Sequence, residues 1–460
     1  MKMNSKYDMP GIKNEVARKS IRNSRPISPD FHLFESNGYN LLIPDGTRIY
    51  EISHDLQEEF KGLIMKDDKL LIGKFLAEHG LQSLGTINDL PIVEPPLTAI
   101  SLAVAQKCNL SCTYCYARQG DFGAKAKNMA LQTALDAVDF LFNNNSKSNR
   151  MNIAFLGGEP LINRPVLQEV TRYAHDKARD SGKEVGFSIT TNGTLLKEED
   201  ADFFEEYGFA VTVSLDGIGE THDRLRPYKG GKASYEQIRA NVLPLLAKQN
   251  KMQVSARVTV TPLNLNLKHV LDELVSLKFH SVGFSPMLSS PTGEAEMNGS
   301  AFEEMLENMI SCGQEFERKL IAGERYPFSN MSTALKEIHK GSHRPYPCGA
   351  GAGYLGVSAS GELAACHRFV EDEKGYFGDL YQGIDRERQQ ACLTERHVHR
   401  QEPCKNCWAR YLCGGGCHHE VIHRGRPACD YIRGWLNYVL QAYIRILQVR
   451  PDFFLANLSS

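Results

Sequence analysis

Two absences limit what this 460-residue sequence can do. No window approaches the ~20 uninterrupted apolar residues of a membrane-spanning helix. The longest apolar runs are strand-length pieces such as Phe209–Leu215. Nor is there an excess of one charge: 53 Lys+Arg face 55 Asp+Glu, a formal net charge of -2. With no basic excess to replace counterions, the general electrostatic basis for nucleic-acid binding is gone and only a local patch remains open. A secretory signal is also missing, since Met1–Ser28 carries Lys and Arg but no apolar h-region. The chain is therefore expected to be cytoplasmic, with neither a membrane nor a nucleic acid as partner. No internal repeat of fixed period occurs.

What is present is ordinary in all but one respect. A hydrophobic fraction of 42% and a charged fraction of 23% describe a globular protein. The length suits about three domains, a core that needs no disulfide staples. In a reducing compartment thiols stay free, so the 12 cysteines read as metal ligands. Three fall within Cys108–Cys115 and eight within Cys348–Cys429, and Cys312 stands alone.

The chain divides into five stretches. Residues 1–30 are polar and read as a flexible arm. Residues 31–90 hold short strand patterns followed by two helical ones, a small β-then-α module. Residues 95–325 alternate: strands near Ala99–Ala105, Asn152–Leu156, Gly186–Thr191, Ala210–Leu215, Gln253–Val260 and Ser281–Ser285 are separated by helical patterns. Six such βα units predict an α/β fold with an open, partial barrel, its active groups at the C-terminal strand ends. Residues 340–430 are rich in Cys, Gly and His without clear periodicity, and 431–460 close on a helix.

The chemistry starts at the first strand end. Cys108, Cys112 and Cys115 are separated by three and two residues, so one loop can wrap three thiolates around one metal assembly. Thiolates select zinc, copper(I) or iron–sulfur clusters. Zinc held by these three and a remote fourth stays open on spacing alone. A [4Fe–4S] cluster normally takes four cysteines, so three would leave one iron for another ligand.

Cys108-Asn-Leu-Ser-Cys112-Thr-Tyr114-Cys115 resembles the signature of the radical S-adenosylmethionine (radical SAM) superfamily. Gly157-Gly158-Glu159-Pro160 resembles that family's methionine-binding turn. The resemblance spans residues 99–285 and implies a SAM site. In it Glu159 takes the amino group, Arg226 meets the carboxylate and Tyr114 lies near the adenine, with Asn192, Ser214 and Asp216 at neighbouring strand ends. It also implies that SAM chelates the open iron and is cleaved by one electron to a 5′-deoxyadenosyl radical, which takes a hydrogen from an unactivated C–H bond.

The second cysteine field resembles the SPASM extension of radical SAM peptide-modifying enzymes, which holds two auxiliary [4Fe–4S] clusters. Three clusters in all are implied. Carried over residue by residue, Cys404, Cys407, Cys413 and Cys429 hold the second auxiliary cluster, and Cys348, Cys366 and Cys417 the first. The sequence departs from the fully ligated pattern because no cysteine closely precedes Cys348. Either Cys392 or Cys312 completes that cluster, or one iron is open. His367, His418 and His419 adjoin ligands. Cys366-His-Arg-Phe-Val370 and Cys407-Trp-Ala-Arg-Tyr-Leu-Cys413-Gly-Gly-Gly-Cys417 resemble thioether-forming maturases, those for quinohemoprotein amine dehydrogenase among them. The resemblance implies joining Cys sulfur to an Asp or Glu methylene in a small protein subunit, with a donor such as flavodoxin or ferredoxin supplying electrons. Residues 31–85 weakly resemble the winged-helix peptide-recognition element of such enzymes. A sulfatase-maturing type of SPASM enzyme, oxidising a Ser or Cys side chain, is the competing reading. A plain electron carrier would not need the Gly157–Pro160 turn.

Overall fold

The computed structural model describes residues 10–456 apart from 27, 67, 146–147 and 342–343. Strands β1 (His32–Glu35), β2 (Tyr39–Ile43) and β3 (Arg48–Ile52) form an antiparallel meander in that order. Two helices follow, each started by a side-chain cap. Ser53 accepts from Leu56 N before His54–Met65, and Asp68 accepts from Leu70 and Leu71 N before Lys69–Glu78. Helices and sheet share a small core of Phe31, Leu41, Ile43, Phe60, Leu76 and Leu81. The module is docked against the rest of the chain: His32 stacks on Trp408 at 3.9 Å between ring centroids, and its Nε2 meets Asn437 Oδ1 at 2.9 Å.

Pro10–Ser24 form a helix, which corrects the reading of this stretch as a flexible arm. The helix packs between Gly299–Ile321 and Cys429–Val449. Ala17 is fully buried there, and Ser20 Oγ donates to Gly434 O at 2.9 Å. Trp408 Nε1 donates to Ser24 O at 2.8 Å just beyond it. The polar composition hid a helix whose order comes from tertiary packing, the usual source of helical stability in proteins. Residues 1–9 of the predicted arm lie outside the described residues.

Next come β4 (Ala99–Gln106), β5 (Lys127–Asn128), β6 (Arg150–Gly157), β7 (Glu184–Thr191), β8 (Ala210–Ser214), β9 (Gln253–Val260) and β10 (Ser281–Pro286). All but β5 run parallel, in the order β10-β9-β8-β7-β6-β4, and β5 pairs antiparallel with the end of β4. This is the expected partial (β/α)6 barrel. Alternation along each strand gives the two faces different tasks. On β9, Val254, Ala256, Val258 and Val260 are buried, while Ser255, Arg257 and Thr259 lie on the other face. β8 repeats the pattern with Val211 and Val213 against Thr212 and Ser214. One face thus packs on the helices, at about 1.5–3 kcal/mol per buried aliphatic side chain. The concave face is lined by small polar groups.

The sheet does not stop at β4. β11 (Tyr354–Val357) pairs parallel with it, followed antiparallel by β12 (Glu362–Ala364), β13 (Tyr376–Asp379) and β14 (Gly383–Ile384). The Cys-rich region is therefore sewn onto the barrel's edge, with Cys348 just before β11 and Cys366 just after β12. Among the described residues, no helix is long and apolar enough to cross a membrane.

Candidate active site and cysteine sites

The loop after β4 carries Cys108, Cys112 and Cys115 and is pinned on both sides. Ser111 N donates to Pro227 O at 2.9 Å, and Lys229 N to Asn109 O at 3.0 Å. Cys108 Sγ accepts from Leu110 N at 3.4 Å and from Asn192 Nδ2 at 3.6 Å. Burial raises the Cys108 thiol and pushes Cys112 up to about 12, so a metal is needed to hold these sulfurs as thiolates.

The turn after β6 presses directly on this loop. Gly157 has φ +143°, and a Cβ there would stand 2.3 Å from Ala105 O. A Cβ on Gly158 would stand 2.2 Å from Lys107 O. Only glycine permits that approach, and it lets Glu159 N donate to Lys107 O at 2.7 Å.

Glu159 is held within the turn. Its side chain is fully buried, and its acceptors are taken by the protein. Oε1 accepts from Leu161 N at 3.1 Å and Thr191 Oγ1 at 2.8 Å, and Oε2 from Asn192 N at 2.7 Å. Burial acts to raise its pKa, and these donors oppose it. The carboxylate braces the ends of β6 and β7. Asn192, held by that brace, reaches Asn109 Oδ1 at 2.9 Å as well as Cys108.

Arg226 lies buried beside the cysteine loop. Its NH1 donates to Tyr114 OH at 2.8 Å and to Asp216 Oδ2 at 3.2 Å. Burial works against its charge, but the nearby Cys112 and Cys108 sulfurs and Asp216 outweigh that and keep it protonated. Its Nε is buried without a partner. A buried guanidinium with a spare donor beside three thiols suits a ligand carboxylate. Tyr114 is spent on holding this arginine and packs against Leu225 and Met287. Asp216 is fixed by Thr259 N at 2.6 Å, and its own N donates to buried His222 Nδ1 at 3.2 Å. Ser214 ends β8 on the concave face. Sequence reasoning missed His222 and Thr259, which act through Asp216, and Arg257, which projects into the barrel toward Ser285. Period-two alternation on β9 was the signal for Arg257.

The second cysteine field separates into two groups. Cys404, Cys407, Cys413, Cys417 and Cys429 line one cavity of about 70 Å³ together with Arg426 and Arg433. Gly414, Gly415 and Gly416 all have positive φ, +71°, +92° and +78°, wrapping main chain around it. Burial raises Cys404 to about 11, with Cys413, Cys429 and Cys407 as the sulfurs acting on it. Burial likewise raises Cys366 to about 12, and there the sulfurs acting on it are Cys417 and Cys348. Cys417 lines the first cavity and also acts on the Cys348 and Cys366 thiols. Cys392 joins neither: Arg396 and Glu395 are the ionisable groups acting on its thiol, which burial raises to about 11. Cys312 is fully buried in the helix Gly299–Ile321.

The spacing of the sulfurs bears on the metal. Tetrahedral zinc with Zn–S of about 2.3 Å sets its sulfurs about 3.8 Å apart. Among the described residues, only Asp372, His419 and His423 bring three donors within 4.8 Å of one another. Groups of three and four thiolates suit an iron–sulfur cluster as well as zinc.

Residues 102–274 match the Radical SAM superfamily. An uncharacterized protein of Methanocaldococcus jannaschii is 39% identical over 133 residues, 29% of this chain and 43% of that one. A cysteine-type anaerobic sulfatase-maturating enzyme of Clostridium novyi is 26% identical over 344 residues, 70% of this chain and 87% of its own. The fold matches native anSMEcpe with bound AdoMet and Cp18Cys peptide at a TM-score of 0.62 and 19% identity, over 78% of this chain and 100% of that one. The parallel-sheet region is therefore similar to the radical SAM superfamily, and the longer stretch around it is similar to the anaerobic sulfatase-maturating enzymes.

Proposed function

We propose that the protein is a radical SAM maturase that joins cysteine sulfurs to Asp or Glu methylene carbons within a small protein subunit, of the kind found in quinohemoprotein amine dehydrogenase. When bound, SAM and a reduced [4Fe–4S] cluster supply a radical able to take hydrogen from an unactivated C–H bond. In this reading Cys108, Cys112 and Cys115 hold that cluster, and Arg226 orients the SAM carboxylate through a charge-assisted pair. Gly157 and Gly158 let the turn after β6 close on the cysteine loop, and Asn192, Ser214 and Asp216 line the strand ends around the ligand. Cys404, Cys407, Cys413 and Cys429 hold one auxiliary cluster and Cys348, Cys366 and Cys417 the other. A flavodoxin or ferredoxin delivers the electrons. The β1–β3 module gives the substrate an exposed strand edge, β3, on which to add by main-chain hydrogen bonds.

The observation that carries the thioether reading is the incomplete group. Cys348 is exposed, Cys417 and Cys348 are the sulfurs that act on Cys366, and among the described residues Cys392 and Cys312 lie apart from them. Three protein ligands leave room for a substrate thiol, deprotonated and fixed next to the carbon it attacks. Cys392→Ala tests this: full iron content and near-normal crosslinking are expected, whereas loss of the cluster or the product would show a closed site and refute direct sulfur ligation. The sulfatase-maturating relatives support the second reading, oxidation of a Ser or Cys side chain, which gives an aldehyde in place of a thioether.

A further inference from the structure

Outside the cysteines, one set of side chains converges like metal ligands. Asp372, His419 and His423 each offer a donor atom within 4.8 Å of the other two. His419 and His423 stand four residues apart on the helix His418–Arg424, so both rings leave one face, with centroids 4.6 Å apart. Asp372 arrives from a different element, the loop after Cys366. Its Oδ1 is held by Lys374 N at 3.0 Å, which leaves Oδ2 for His423 Nε2 at 2.7 Å. Such an outer hydrogen bond on one carboxylate oxygen is how ligating carboxylates are commonly oriented. His419 is wedged edge-on against Phe369 at 5.0 Å, and its Nδ1 is buried with no hydrogen-bond partner. An unpaired buried ring nitrogen costs free energy unless something binds it.

The surroundings suit a cation. Of the positive groups nearby, Arg368 is paired with Glu420 and lies over the Tyr116 ring at 4.8 Å, while Lys374 and Arg118 are the others. The three donors line a cavity of about 400 Å³ shared with Tyr116 and Arg118 of the Cys108–Cys115 side. We propose that Asp372, His419 and His423 bind a divalent transition metal of the zinc class, with its remaining position open to this cavity. Two imidazoles and one carboxylate are hard enough to leave iron–sulfur assembly to the thiolates, and three protein ligands with an open position mark a reactive site over a closed structural one. The open position faces the cavity shared with the Cys108–Cys115 side, so its fourth ligand is a carboxylate or carbonyl oxygen of the substrate. That last step rests on the peptide-modifying reading, but metal binding does not.

The test is elemental analysis of the full-length protein after anaerobic cluster reconstitution and dialysis against zinc with a competing chelator. The wild type should retain about one zinc per chain beyond the His419→Ala/His423→Ala variant, at equal iron. Asp372→Asn, which keeps the shape, should weaken zinc binding at least ~10-fold. Equal zinc in wild type and double variant would overturn the site, as would iron lost in step with zinc, because the histidines would then serve a cluster. Absence of crosslinking activity with zinc binding intact would bear on the peptide reading alone.

Discussion

Glu159→Ala separates two roles for the carboxylate in the Gly157–Pro160 turn. The side chain is fully buried and satisfies three donors: Leu161 N, Thr191 Oγ1 and Asn192 N. Thr191 can turn its hydroxyl elsewhere, but the two main-chain N–H groups cannot move. Leaving a buried donor unpaired costs about 1–3 kcal/mol, so the alanine variant should lose about 2–6 kcal/mol. Glu159→Gln keeps an oxygen for Leu161 and Thr191 but turns an amide NH₂ toward Asn192 N, one broken bond and about 1–3 kcal/mol. The damage should spread to the cluster loop, since Asn192 contacts Cys108 and Asn109. Anaerobic thermal melts with iron counts and SAM titrations on all three proteins are the assay. We expect stability to fall in the order wild type, Gln, Ala, with iron retention falling alongside. An alanine variant of unchanged stability and iron content that fails only to bind SAM would refute the brace and restore Glu159 as a direct ligand.

Anaerobically reconstituted wild-type protein should carry about twelve irons, three clusters of four, and replacing Cys108, Cys112 and Cys115 together should remove about four; stoichiometric zinc in the cysteine sites would contradict this. His32 supplies a pH signature: burial lowers its pKa from 6.5 to about 4, against the raising effect of its bond to Asn437. Because the folded state prefers the neutral ring, its contribution is complete above pH 6.5 and is lost as pH falls toward 4, about 3 kcal/mol in all. The melting temperature of His32→Phe should therefore fall less steeply over that interval, and parallel slopes would argue against it.

How much of this was legible in the sequence follows from where the information lies. The barrel strands were legible because each has one face against helices, so Val254, Ala256, Val258 and Val260 recur at period two. The helices Leu131–Asn144 and Leu267–Ser276 were legible because their apolar positions repeat on one face. The edge extension β11–β14 was not, since its strands are two to four residues long and three of the four carry a glycine. Gly378, for example, is required because a Cβ there would stand 2.2 Å from Gly383 O. Within the site, Arg226 and the cysteines could be named from the sequence as candidates, by motif and by spacing. The orientation of Glu159 was not legible: whether a carboxylate faces ligand or backbone depends on Thr191 and Asn192, on another strand. The His419–His423–Asp372 convergence depends likewise on a loop about fifty residues upstream of the helix.

The most direct test of the account is the product. A small Cys- and Asp/Glu-bearing subunit incubated with reconstituted enzyme, SAM and a reductant should lose two hydrogens per crosslink. Fragmentation should place a thioether between a cysteine sulfur and an Asp or Glu methylene, with the thiol closed to alkylation and no reaction with hydrazides. A product that reacts with hydrazides would contradict the thioether assignment and give the chain to the side-chain-oxidising class.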